Sequence, residues 1–157
     1  MLEPDIVAEI EEHASRYPIR RAACLDALLA VQRRHRWVSD EHLREVAHLL
    51  DMSPDDLDGV ATFFNLVFRR PVGEHVILTC DSISCWLMGG ERIAARIAER
   101  LGIQPGGTTP DGRFTLVPIC CLGDCDHAPA LMVGEDLHHD LREEDVDALL
   151  ERYGGAR

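Results

Sequence analysis

Five of the six cysteines in this 157-residue sequence fall in its second half, at Cys80, Cys85, Cys120, Cys121 and Cys125, and the sixth is Cys24. Thiols that recur at short, paired spacings in a reduced compartment point to metal binding rather than to disulfides. The pairs read C-x4-C (Cys80, Cys85) and C-x3-C (Cys121, Cys125), and the chain contains no C-x-x-C. Four thiolates suit an iron–sulfur cluster or a structural zinc. Zinc sites usually repeat tight C-x-x-C knuckles, so the wider loops favour a two-iron cluster, modestly. The absent C-x-x-C also argues against a thioredoxin-type dithiol catalyst. Spacing leaves one choice open, because Cys120 also makes a C-x4-C with Cys125. Cys125-Asp126-His127 contains a C-x-H step, but no histidine lies near Cys80 or Cys85, which argues against a mixed Cys/His cluster site. Cys24 reads as a small hydrophobe on a helix face.

The elements that must position these thiols can be read from periodicity. His75–Cys80 (HVILTC) is a short β-branched run, expected to be a buried strand, and Phe114–Ile119 a second one. Trp86–Leu101, with Ile93, Ala94, Ile97 and Leu101 on one face and Gly102 after it, is expected to be one helix that Cys85 opens. Two strands joined by one helix should run parallel, so both cysteine groups would emerge at their carboxyl ends, where open α/β sheets build sites. Ala130–Val133 and Leu137–His139 read as a hairpin about Gly134-Glu135-Asp136, and Arg142–Tyr153 as a closing helix. The order β-α-β, hairpin, helix is that of a thioredoxin-like sheet. Before it, Pro4–Tyr17, Arg20–Arg34, a segment after Ser39 and a segment after Ser53-Pro54 carry helical patterns with capping signals. The fold class expected is therefore α+β/α/β, with an N-terminal helical bundle over residues 1–70 and the sheet domain over 71–157.

Around the thiols, the amides of Trp86 to Gly90 are candidates to offset cluster charge, and Gly89-Gly90 would permit either a close backbone approach or tight helix–sheet packing. Gly123 would give the turn that aims Cys121 and Cys125 together, and Ala128-Pro129 would close the loop. Phe63 to Phe68 is an apolar run before Arg69-Arg70, read as core packing with a domain seam or as a contact for a partner.

Totals narrow the partners. The net charge is −12 and the pI about 5.0, which disfavours nucleic acid and anionic lipid. No stretch approaches a membrane span and the start lacks a secretory signal, so a cytoplasmic location without direct membrane contact is expected. No G-x-G-x-x-G follows a strand and no P-loop occurs, so the chain should not bind NADH itself.

The run Cys80-(x4)-Cys85, then Cys121-Leu122-Gly123-Asp124-Cys125 and Ala128-Pro129, resembles the signature of the E-subunit family of bacterial NADH-quinone oxidoreductase, the thioredoxin-like [2Fe-2S] ferredoxin component of respiratory complex I. Tyr17-Pro18, Arg21-Ala22-Ala23, Gln32, Trp37, Val60–Phe64, Pro71-Val72-Gly73 and Thr108–Phe114 extend the resemblance along nearly the whole chain. It implies one [2Fe-2S] cluster held by Cys80, Cys85, Cys121 and Cys125, with Cys121 rather than Cys120 as the third ligand. It implies an electron carrier within an NADH:quinone oxidoreductase, exchanging electrons with FMN on an NADH-binding flavoprotein subunit, in the peripheral arm on the cytoplasmic face of the inner membrane. Similar subunits serve NAD-linked formate dehydrogenases and hydrogenases. A reading of another class, a zinc-stabilised structural adaptor, has the same thiols and no redox role.

Overall fold

A computed structural model describes residues 1–154. The chain divides into two compact units, one ending at Pro71 and the next beginning at Val72.

The first unit holds four helices, α1 (Pro4–Ser15), α2 (Cys24–His35), α3 (Asp40–Leu49) and α4 (Pro54–Phe63). Sequence sets their starts. Pro4 and Pro54 stand in the first turns of α1 and α4, where a missing N–H costs nothing. The Ser39 and Ser53 hydroxyls accept from the His42 and Asp56 N–H groups, both at 3.1 Å. The expected helix from Arg20 begins instead with a 3-10 turn at Arg20–Ala23, and α2 proper starts at Cys24. Ile6, Ile10, Leu28, Val31, Val46 and Leu57 are buried together, and Cys24 packs half-buried at their edge. The exit segment is tied down by polar groups. Gln32 donates to the Leu66 carbonyl at 2.7 Å and accepts from the Phe68 N–H at 2.6 Å. Arg69 reaches Asp58 at 2.8 Å, Asp40 at 2.6 Å and the Val38 carbonyl.

The second unit is a four-stranded sheet in the order β2-β1-β3-β4, formed by β1 (His75–Cys80), β2 (Phe114–Ile119), β3 (Leu131–Val133) and β4 (Asp136–His138). β1 and β2 are parallel, as the connection between them requires, with His75 opposite Phe114 and Cys80 opposite Ile119. The β3–β4 hairpin adds antiparallel to the other edge of β1. Its strands depart by one residue from the expected bounds: β3 starts one later, and β4 lies one earlier. Ile77, Leu116 and Leu131 from the sheet pack with Ile93 and Ile97 of α6 (Gly90–Leu101) and with Val146 and Leu150 of α7 (Val146–Arg152). The sheet and its helices make the thioredoxin-like fold.

Two expectations fail here. The single helix expected over Trp86–Leu101 is two, α5 (Ile83–Leu87) and α6, and Cys85 sits inside α5 rather than opening it. Gly89 takes a φ of 94°, a left-handed conformation that costs glycine little and ends α5. A Cβ on Gly90 would lie 2.8 Å from the Cys85 carbonyl oxygen, so glycine lets α6 start directly against the Cys85 backbone. The closing helix is likewise shorter than expected. Its first turn is a 3-10 turn at Glu143–Asp145, entered through the Arg142 N–H donating to Asp145 at 2.8 Å.

Candidate metal centre

The parallel register brings the cysteines to one end of the sheet. Cys80 ends β1 and Cys85 lies one turn into the helix that follows, both buried. Cys120, Cys121 and Cys125 follow the end of β2 and are exposed. The Cys121 and Cys125 Sγ atoms are 3.2 Å apart. The two pairs share one space: Cys85 responds to charge on both Cys80 and Cys125, and Cys125 to charge on Cys121 and Cys80. Cys24 lies in the other unit, half-buried against the helical core.

Electrostatics divide the four. Burial, with smaller effects from Cys80 and Cys125, pushes the Cys85 thiol up to about 11. Such a thiol gives up its proton only when a cation takes its place. Cys121 and Cys125 move in opposite directions because they share a proton: a hydrogen bond from Cys125 holds Cys121 low, and the same pairing raises Cys125. The Gly123 N–H donates to the Cys121 Sγ at 3.3 Å, which also lowers Cys121. Gly123 stands at a φ of 89°, so the turn that joins these thiols does require glycine.

Three of the five amides expected to face the sulfurs are engaged elsewhere. The amides of Trp86, Met88 and Gly89 are committed to the Ser82, Ser84 and Trp86 carbonyls, at 2.9 to 3.1 Å, and are not free for a cluster. The Gly123 N–H donates to the Cys121 sulfur, while the Ala130 backbone and the Ser84 hydroxyl favour the charged forms of Cys85 and Cys125 and oppose the rise of their pKa values. Ala130 and Ser84 carried no signal in the sequence, since one precedes a strand and the other is an ordinary helix residue. Of the alternatives for Gly89-Gly90, the close approach is to the backbone of Cys85 itself. Ala128 and Ala130 are buried against Cys80 and Cys85, and Leu122 packs partly buried beside them. His127 is exposed, and a hydrogen bond from its Nδ1 to the Asp140 carboxylate, 3.1 Å away, raises its pKa.

The donor set is all sulfur, two thiols buried in an apolar wall and two at the surface. It fits a four-thiolate centre, and its chemistry accommodates either a [2Fe-2S] cluster or zinc.

Comparison with known proteins separates these. The chain is 46% identical over 146 residues to the NADH-quinone oxidoreductase E subunit of Pseudomonas aeruginosa, covering 93% of this chain and 88% of that one. It is 46% identical over 144 residues to the protein of the same name from Escherichia coli K12, covering 92% and 87%. Among solved structures, an NAD+-reducing [NiFe]-hydrogenase in the air-oxidized state aligns with a TM-score of 0.73 at 24% identity. That alignment covers 83% of this chain and 22% of the hydrogenase chain, and it shows the shared fold. Residues 10–154 match the thioredoxin-like [2Fe-2S] ferredoxin family, and with relatives this close over this much of its length the chain belongs to that family.

Proposed function

We infer that this chain is the electron-carrying subunit of an NADH-quinone oxidoreductase, with one [2Fe-2S] cluster held by Cys80, Cys85, Cys121 and Cys125. The observation that carries the ligand assignment is the convergence of two cysteine pairs, from the ends of two parallel strands, on one all-sulfur site. Bound there, the cluster would supply one-electron exchange. The chain's own residues do the rest. Ala128, Ala130 and Leu122 exclude water from the Cys80–Cys85 side. The N–H groups of Gly123 and Ala130 and the Ser84 hydroxyl offset negative charge on three of the four sulfurs. Cys120 neighbours Cys121 and is exposed, and no hydrogen bond links it to the other thiols.

The cytoplasmic-side flavoprotein subunit that binds NADH and FMN is the expected partner. α5 gives it a surface to hold: Ile83, Trp86, Leu87 and Met88 are more than half exposed on the helix that contains buried Cys85. A contact there would lie beside the thiols, where electron exchange needs proximity. Among the described residues no helix is long and apolar enough to cross a membrane. The 46% identity to the oxidoreductase relatives, over most of both chains, supports a complex I assembly.

The test is a visible spectrum of anaerobically purified chain with iron and sulfide analysis. Reddish protein that bleaches with dithionite and holds iron and sulfide in equal amounts supports the cluster; colourless protein with one zinc per chain rejects it. Cys121→Ser should lose the cluster while Cys120→Ser keeps it, and the reverse pattern overturns the choice of Cys121.

A further inference from the structure

The loop from Cys120 to Pro129 carries two of the four thiols, yet it is poorly anchored. Among the described residues, only two backbone hydrogen bonds tie it to another segment: Asp140 N–H to the His127 carbonyl at 2.8 Å, and Leu141 N–H to the Pro129 carbonyl at 3.3 Å. Both come from the stretch immediately after β4.

Side chains reinforce this one contact from both directions. His139 Nδ1 donates to the Asp124 carboxylate at 2.9 Å, and His127 Nδ1 donates to the Asp140 carboxylate at 3.1 Å. The pairs are reciprocal, each segment giving one imidazole and one carboxylate. The two rings also lie against each other, with centroids 4.9 Å apart and planes 33° from parallel. Asp140 holds a φ of 49°, a left-handed conformation that aspartate tolerates better than most residues. An isolated surface pair of this kind contributes little to stability. Here, however, the contacts converge on the residues flanking Cys125, in a loop with no other backbone anchor.

We propose that His139 and Asp140 are positioning residues, which clamp the Asp124–His127 turn so that Cys125 stays set for its metal. The proposal rests on Cys125 being a cluster ligand. The residues act through hydrogen bonds on the segment beside the ligand and touch no sulfur themselves. Outer partners of this type typically change metal retention by about ten- to a hundredfold when removed.

The experiment uses the full holo chain. Cluster loss to an excess of iron chelator is followed as bleaching of the visible absorbance, and the dithionite-reduced protein is characterised by electron paramagnetic resonance. His139→Ala and Asp140→Gly should each release the cluster about tenfold faster than the unaltered chain and shift the resonance spectrum. Glycine at 140 deletes the carboxylate without straining the left-handed backbone. His139→Asn should restore slow release, because its amide nitrogen sits close to where Nδ1 was. Thermal unfolding midpoints of the three should stay together, which separates positioning from general destabilisation. Release rates and spectra of His139→Ala and Asp140→Gly that match the unaltered chain, with Cys125→Ser defective, overturn the clamp alone. An unaltered chain without a cluster, or Cys125→Ser with a normal one, overturns the ligand assignment and the clamp with it.

Discussion

At the scale of single residues, the site depends on small side chains as much as on sulfur. Gly90 is the sharpest case. A Cβ there would meet the Cys85 carbonyl oxygen at 2.8 Å, its carbonyl carbon at 3.1 Å and its Cβ at 3.3 Å. Those atoms are backbone or are fixed by it, so they cannot swing aside. Gly90→Ala should therefore displace Cys85 and lower the iron bound per chain. Gly102→Ala is the control, because Gly102 has open space around it and only a left-handed φ of 64° to strain. Equal iron content in both variants would show that the fit around Cys85 is loose. The grouping of cysteines at one end of the sheet was legible in sequence, and so was the turn at Gly123, because a short loop between two thiols must turn. The placement of Ser84, Ala130, His139 and Asp140 was not legible. It comes from which segment the fold lays beside the cysteine loop, and nothing in their local pattern records that.

At the scale of elements, strands and caps were easier to read than helix continuity. β1 falls where its β-branched run puts it and β2 where a second strand was expected, and Ser39 and Ser53 cap as their type and position require. The break between α5 and α6 was missed because the apolar spacing of Ile93 and Ile97 is compatible with a helix that starts earlier. Gly89-Gly90, visible in the sequence, marked the break, but its cause is the close packing against Cys85, a tertiary contact. The broken geometry leaves α5 as a short helix with Cys85 buried and Trp86, Leu87 and Met88 outward. A face of that kind argues for a partner. Leu87→Asp places a charge where an apolar contact would be buried, and an uncompensated buried charge is costly. The variant should keep the visible spectrum of the isolated chain and co-purify with the flavoprotein subunit proposed as its partner in reduced yield. Undiminished co-purification would remove α5 from the interface.

For the whole molecule, the relevant variable is pH, since each unit holds a half-buried histidine whose pKa burial lowers: His42 in the helical unit and His138 in the sheet unit. His42 faces His35, whose ring centroid is 4.2 Å away, and the N-terminal amine, both of which also disfavour its charged form; Glu45 and Glu41 oppose them less strongly. Its Nδ1 is buried without a partner. The sign follows directly. The folded state prefers neutral His42, while the unfolded chain takes up a proton near the ordinary value of 6.5, so stability is present above that value and falls as pH drops through it. Glu3 and Glu45 are depressed from 4.5 and lose their contribution only at lower pH, outside this window. The two tryptophans allow the helical unit to be followed separately: Trp37 lies in it and Trp86 in the other, so Trp86→Phe leaves Trp37 as the sole reporter. The Trp37 unfolding midpoint should fall between about pH 7.5 and about pH 5.5, and His42→Leu should flatten that dependence. A midpoint that holds steady or rises on acidification would mean that half-buried His42 does not govern the acid response of the helical unit.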